Sequence, residues 1–158
     1  MSDLLNDIIN IGALTIIAIF GFLVIYVRIV AAKKRKGNLS PMKQIEMMSG
    51  EMTAELMYTG YDAWGLAKLE TIKSIDSYIE KKLAIYKTED LLSDQVLIMR
   101  TGSFYGEIIH YKKHYQWHFT EDLIPELIKK DQTIYPFEHI KQKITGEIES
   151  LYEYAKEL

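Results

Sequence analysis

Cysteine is absent from this 158-residue chain. That removes disulfides and thiolate metal sites, and it leaves no mark of an oxidising compartment. Neither Gly-x-Gly-x-x-Gly nor Gly-Lys-Ser/Thr occurs anywhere, so a dinucleotide fingerprint or phosphate loop is unsupported and no cofactor is expected. Internal repeats and low-complexity tracts are lacking, and residues 37–158 hold only 14 Lys/Arg against 20 Asp/Glu. A net −6 over that part argues against nucleic-acid partners, which need a cationic face to release counterions from phosphates. The most telling absence is of charge itself: the twenty residues Ile8 to Val27 carry none.

At about 1.5 Å of rise per helical residue such a run spans about 30 Å, the thickness of a bilayer's hydrocarbon core. Asp3 and Asp7 precede it, while Arg28, Lys33, Lys34, Arg35 and Lys36 follow it. A cleaved secretory signal has the opposite order of charge, and a buried core helix would need a polar face that Asn10 and Thr15 do not supply. The pattern predicts a permanent single-pass anchor over residues 8–30. Two acids before the span and five bases after it orient the chain: the tail of residues 1–7 outside, the remainder in the cytoplasm of a bacterial inner membrane. Residues 31–40 form a basic collar and linker that also meets anionic head groups. Gly12 and Gly21 are nine apart, not four, so self-association through the span is not predicted.

Beyond the collar, residues 41–158 suffice for one small domain. Ser40-Pro41 reads as an N-cap followed by proline at the first helical position. The helix that follows, to about Thr59, sets Ile45, Met48, Met52 and Leu56 at helical spacing. A second helix is predicted over about Trp64 to Tyr86, with Leu69, Ile72, Ile75, Ile79, Leu83 and Tyr86 as its stripe. A third starts near Thr88-Glu89-Asp90 and runs through Leu92, Val96, Met99, Ser103, Gly106 and Ile109 to about Lys112, antiparallel to the second. Gly102 and Gly106, four apart, each cost about 1 kcal/mol of helix propensity and so imply a tight crossing.

From His110 onward the period becomes two. Tyr111, Lys113, Tyr115, Trp117 and Phe119 alternate with His110, Lys112, His114, Gln116 and His118, the rhythm of a strand with an aromatic face. Residues Leu127–Ile128 and Thr133–Tyr135 flank a turn and read as two further short strands, ended by Pro136. Short helices over Phe137 to Ile144 and after Thr145-Gly146, the latter with Ile148, Leu151, Ala155 and Leu158 inward, complete the pattern. The fold class is α+β: one N-terminal transmembrane helix plus a helix-dominated cytosolic domain with a short antiparallel sheet.

Candidate chemistry is sparse. Glu107, His110 and His114 share one face if the helix continues, at spacing suited to iron or zinc. A strand would instead hold His114 and His118 about 13 Å apart, too far for a shared ion. Ser103 lacks the Gly-x-Ser-x-Gly elbow, and Glu107 beside Trp117 has no identifiable second carboxylate. Partner-binding candidates are Met48 and Met52 on the methionine-rich helix, with Tyr111, Tyr115 and Trp117, residue types enriched at interfaces.

The segments Gly102-Ser103-Phe104-Tyr105-Gly106-Glu107, Trp117, Pro136-Phe137-Glu138-His139-Ile140 and Glu149-Ser150-Leu151 carry a likeness to one group. Residues 75–158 resemble small uncharacterised bacterial α+β domains in which a Gly-x-[Tyr/Phe]-x-Gly-Glu helix leads into a Trp-bearing strand. The resemblance implies the fold and lends no catalytic residue. The expected function is a membrane-tethered protein-interaction module, a subunit or adaptor of a membrane-associated complex, with homo-oligomerisation open. An immunity protein neutralising a toxin is the nearest alternative, and a membrane-tethered metal- or carboxylate-dependent enzyme the contrasting one.

Overall fold

A computed structural model of the chain describes residues 39–63, 68–119 and 125–158. The predicted anchor, its collar residues Arg28, Lys33, Lys34, Arg35 and Lys36, and the predicted helix start at Trp64 lie outside the described residues. Among the described residues no helix is long and apolar enough to cross a membrane.

The first helix, α1 (Pro41–Tyr58), starts where its cap requires: Ser40 accepts from the Lys43 N–H and Pro41 fills the first turn. Its buried stripe is Ile45, Ser49, Met52 and Leu56. The stripe passes through Ser49, which leaves Met48 only half-buried at its edge. Lys68 is extended, so the second helix begins later than predicted, as a 3-10 turn (Leu69–Thr71) leading into α2 (Ile72–Leu83). It also ends earlier, leaving Tyr86 half exposed.

The predicted third helix is two helices. Asp94 breaks it, because its carboxylate accepts from the Leu97 N–H at 3.0 Å and so caps a new start. α3 (Thr88–Ser93) ends there and α4 (Gln95–Lys113) begins. The break resets the helical phase: Val96 and Met99, expected inward, are exposed, and Leu97 and Ile98 are buried instead. α4 packs chiefly on α1 rather than on α2, which corrects the expected antiparallel pair.

α4 stops at His114, whose φ of 62° is left-handed, and the chain enters a three-stranded antiparallel sheet in sequence order. The strands are β1 (Gln116–Phe119), β2 (Pro125–Lys129) and β3 (Gln132–Ile134). Trp117 pairs with Leu127, which pairs with Ile134, and this row forms the inward face, with Leu127 and Ile134 buried. Pro136 then starts α5 (Pro136–Thr145), which ends on Gly146 at φ 83°. A glycine suits that left-handed cap. The last helix is α6 (Leu151–Glu157). Ser40–Leu158 forms one compact unit, an α+β, helix-dominated domain with six α-helices among the described residues.

Seven residues are too few for a helix to hold on local bonds alone, and α6 is capped from far away. Asp76 on α2 accepts from the backbone N–H groups of Leu151 at 2.9 Å and Tyr152 at 3.1 Å and from the Ser150 hydroxyl at 3.0 Å. Its negative charge also meets the positive end of the helix dipole. Lys143 of α5, itself buried, lies 3.8 Å from Asp76 and 2.9 Å from Glu80. Three helices therefore meet at one compensated charge cluster. Asp76→Ala leaves the helix donors without their buried acceptor and Lys143 without one of its two charge partners, and is expected to cost about 3–5 kcal/mol. A lower urea midpoint at unchanged slope checks this, and a loss below about 0.5 kcal/mol, the scale of an ordinary surface change, removes the capping role.

Candidate functional site

Every residue of α4 from Thr101 to Ile109 is buried, so its polar side chains must find partners inside. The Thr101 hydroxyl donates to the Met52 sulfur at 3.7 Å. Glu107, 2% exposed, accepts from the Trp117 indole N–H at 2.7 Å. Ser103 is buried with no hydrogen-bond partner for its hydroxyl, an arrangement that costs about 1–3 kcal/mol.

The two glycines of α4 admit rings. A Cβ on Gly106 would lie 2.4 and 2.5 Å from indole carbons of Trp117, and one on Gly102 would lie 2.5 Å from the Phe137 ring and 3.2 Å from the Phe137 Cα. The close crossing is thus with the start of α5 and the β1 indole rather than with a second long helix.

These contacts redistribute the sequence-derived candidates. Met52 and Tyr115 are fully buried, and the Tyr115 hydroxyl is spent on Gln132 at 2.6 Å, so neither offers a surface to a partner. Trp117 is half-buried, tied to Glu107 and stacked on Phe119 at 6.4 Å. Tyr111 is 54% exposed and packs its ring edge on His110 at 5.0 Å. The helical ligand face does not form: His110 donates from Nδ1 to the Tyr115 carbonyl, since a carbonyl can only accept. His114 is the exposed left-handed cap, and His118, out on β1, pairs with Glu126 at 2.9 Å. Among the described residues no group of three or more acidic or histidine side chains could hold a metal ion.

One exposed cluster was not foreseen. Ile85 at 66% and Tyr86 at 50% exposure stand just past the end of α2. Tyr61, Tyr78, Lys82, Ile85 and Tyr86 border a cavity of about 140 Å³ there. The Lys82 ammonium lies 5.2 Å from the Tyr78 ring centroid and 5.7 Å from that of Tyr86, within cation–π range. The cluster is braced beneath by charge. Arg100 of α4 pairs with Glu51 at 2.9 Å and Glu55 at 3.5 Å, and the Tyr78 hydroxyl donates to Glu55. The Tyr78 hydroxyl is held well above its ordinary pKa, first by burial and then by that carboxylate. The sequence signal was the density of tyrosine, but only the ends of two helices bring these residues together.

A scan of protein-family models, a search of curated proteins and a search of solved structures each return no match.

Gly106→Ala is expected to destabilise by about 1–3 kcal/mol through overpacking, despite a gain of about 1 kcal/mol in helix propensity. Combined with Trp117→Leu, which vacates the space, the two losses should fall short of their sum, and chemical denaturation of the four proteins in the cycle checks this. Additive losses would show that Trp117 is not what excludes a side chain at position 106.

A second prediction concerns pH. His139 is 8% exposed, ring to ring with Tyr154 at 4.5 Å and 3.5 Å from the Tyr105 hydroxyl. Burial lowers its pKa from 6.5, opposed by Glu138. The unfolded chain then binds the proton more readily, so this contribution to stability is complete above about pH 6.5 and is lost as pH falls toward the depressed folded value. Urea unfolding at pH 7.5 and 5.0 should show a larger acid-induced loss for the native chain than for His139→Gln. Equal losses would count against His139 as the acid-sensitive group.

Proposed function

We propose that this chain is a single-pass, membrane-tethered protein-interaction module of a bacterial inner membrane, its tail of residues 1–7 outside and its 41–158 domain in the cytoplasm, serving as subunit or adaptor of a membrane-associated complex. The observation that carries this reading is the charge-free run Ile8 to Val27 followed by Arg28, Lys33, Lys34, Arg35 and Lys36. The collar is followed within four residues by the capped start of α1, so the tether joins a folded domain through a short linker. Such a tether confines the domain to a thin layer and raises its effective concentration toward partners there. The contact surface is the tyrosine-lined cavity beside the end of α1, with Ile85 and Tyr86 as its exposed side chains. Tyrosine supplies large contact area with few rotatable bonds and tends to dominate binding energy at interfaces.

The immunity reading has one observation in its favour. Glu80, Glu147, Glu149, Glu153 and Glu157 border a groove of about 650 Å³ beside α6, and a negative surface of this kind speeds encounter with a basic toxin.

Mild-detergent capture of the tagged full-length protein from its host, with mass spectrometry, tests both readings. A stoichiometric partner that is lost on Ile85→Asp with Tyr86→Ala, at least tenfold in recovery, supports the tethered module. A small basic partner lost instead on Glu149→Lys with Glu153→Lys favours the immunity reading. Recovery in the soluble fraction without detergent overturns the tether, and a lone monomer carrying metal or a small molecule moves the enzyme reading forward.

A further inference from the structure

The buried Ser103 hydroxyl, left without a partner on an otherwise satisfied helix, borders a second cavity. Gln44, Ile45 and Met48 of α1, Met99 and Ser103 of α4, and Phe119 and Pro125 at the facing ends of β1 and β2 line a pocket of about 90 Å³. No charged side chain lines it, so it offers nothing to an ion. Water would find there only Ser103 and the amide of the exposed Gln44, which has a partner of its own; that is the minimum of polar partners a buried water needs, against a wall otherwise of hydrocarbon and thioether. An engineered apolar cavity of about 150 Å³ admits benzene, and by that measure this one, about 90 Å³, suits about four non-hydrogen atoms with its thioethers in place and a fifth once one of them moves aside.

We propose that this pocket binds a small neutral ligand with a short branched aliphatic body and one hydroxyl or carbonyl oxygen. The body fills the space between Ile45, Met48 and Phe119, and the oxygen completes the hydrogen bonding of Ser103. Met99 at 36% exposure and the half-buried Met48 stand at the mouth. Ser103 is fully covered, so the ligand reaches it by displacing one of these two side chains, and unbranched thioethers rotate readily. The pocket lies wholly within the 41–158 domain, so its failure as a site leaves the partner reading standing.

The test uses the full-length chain in lipid nanodiscs, with methyl-labelled methionine and an empty-nanodisc reference for ligand lost to lipid. Titration with 2-methylpropan-1-ol is expected to shift the Met48 and Met99 methyls along a saturable curve while Met57, at the far end of α1, stays still. Ser103→Ala should weaken the alcohol about fivefold, the worth of one hydrogen bond, and leave the affinity of 2-methylbutane unchanged. Met99→Trp, placed at the mouth where the core is undisturbed, should abolish binding of both. Linear or uniform shifts at all methionines, equal effects of Ser103→Ala on the two ligands, or undiminished binding by Met99→Trp would each overturn the site.

Discussion

A helical stretch of nine residues with no exposed side is the constraint on which the rest of this domain leans. From Thr101 to Ile109, α4 has a neighbour on every side, so each of its polar groups needs an internal partner and each of its small residues sets a distance. Glu107 is the severe case, because an ionised carboxylate without partners in such a place costs far more than a domain of this size can spare. The chain answers with the Trp117 N–H at 2.7 Å, and it can do so only because Gly106 leaves room for the indole. One glycine, one carboxylate and one indole thus set where the sheet sits. The turn at His114 and the register Trp117 with Leu127 follow from delivering that ring.

The second organising point works by charge rather than by shape. Lys143 is buried, and it is tolerated because Asp76 and Glu80 neutralise it while the Glu149 backbone carbonyl accepts a further hydrogen bond from its ammonium. Asp76 is in turn consumed by the start of α6. Removing a partner from such a cluster is worse than never having built it, which is why a seven-residue C-terminal helix can be as well held as the long ones. α2, α5 and α6 are joined through this cluster.

What the sequence made legible was local. Ser40-Pro41 and Pro136 act through their immediate neighbours, and each marks a boundary where it was expected; Gly146 closes α5, but the last helix, expected straight after it, starts only at Leu151 behind its Ser150 cap. The alternation at Trp117 and Phe119 likewise reports a face of one strand. The failures are of another kind. Asp94 resembled any helical acid until its own carboxylate was seen to cap Leu97, and that one-residue break inverted the inward and outward sets at Val96 and Leu97. Asp76 caps residues 75 positions away, and no window along the chain contains both partners. The methionine stripe of α1 was read one position off at Met48, because the inward slot belongs to a serine.

The aromatic residues show most clearly why a functional surface is harder to read than a core. Tyr115 and Tyr111 are four apart on the same alternating run, yet one is sealed inside and the other is 54% exposed, the difference being a helix that ends between them. Tyr61, Tyr78 and Tyr86 are spread over 26 positions of sequence and line one cavity only because α1 and α2 finish at the same end of the domain. Burial leaves a period in the sequence, since a face must be apolar along its whole length. A surface patch leaves none, because side chains from the ends of separate elements owe each other no spacing.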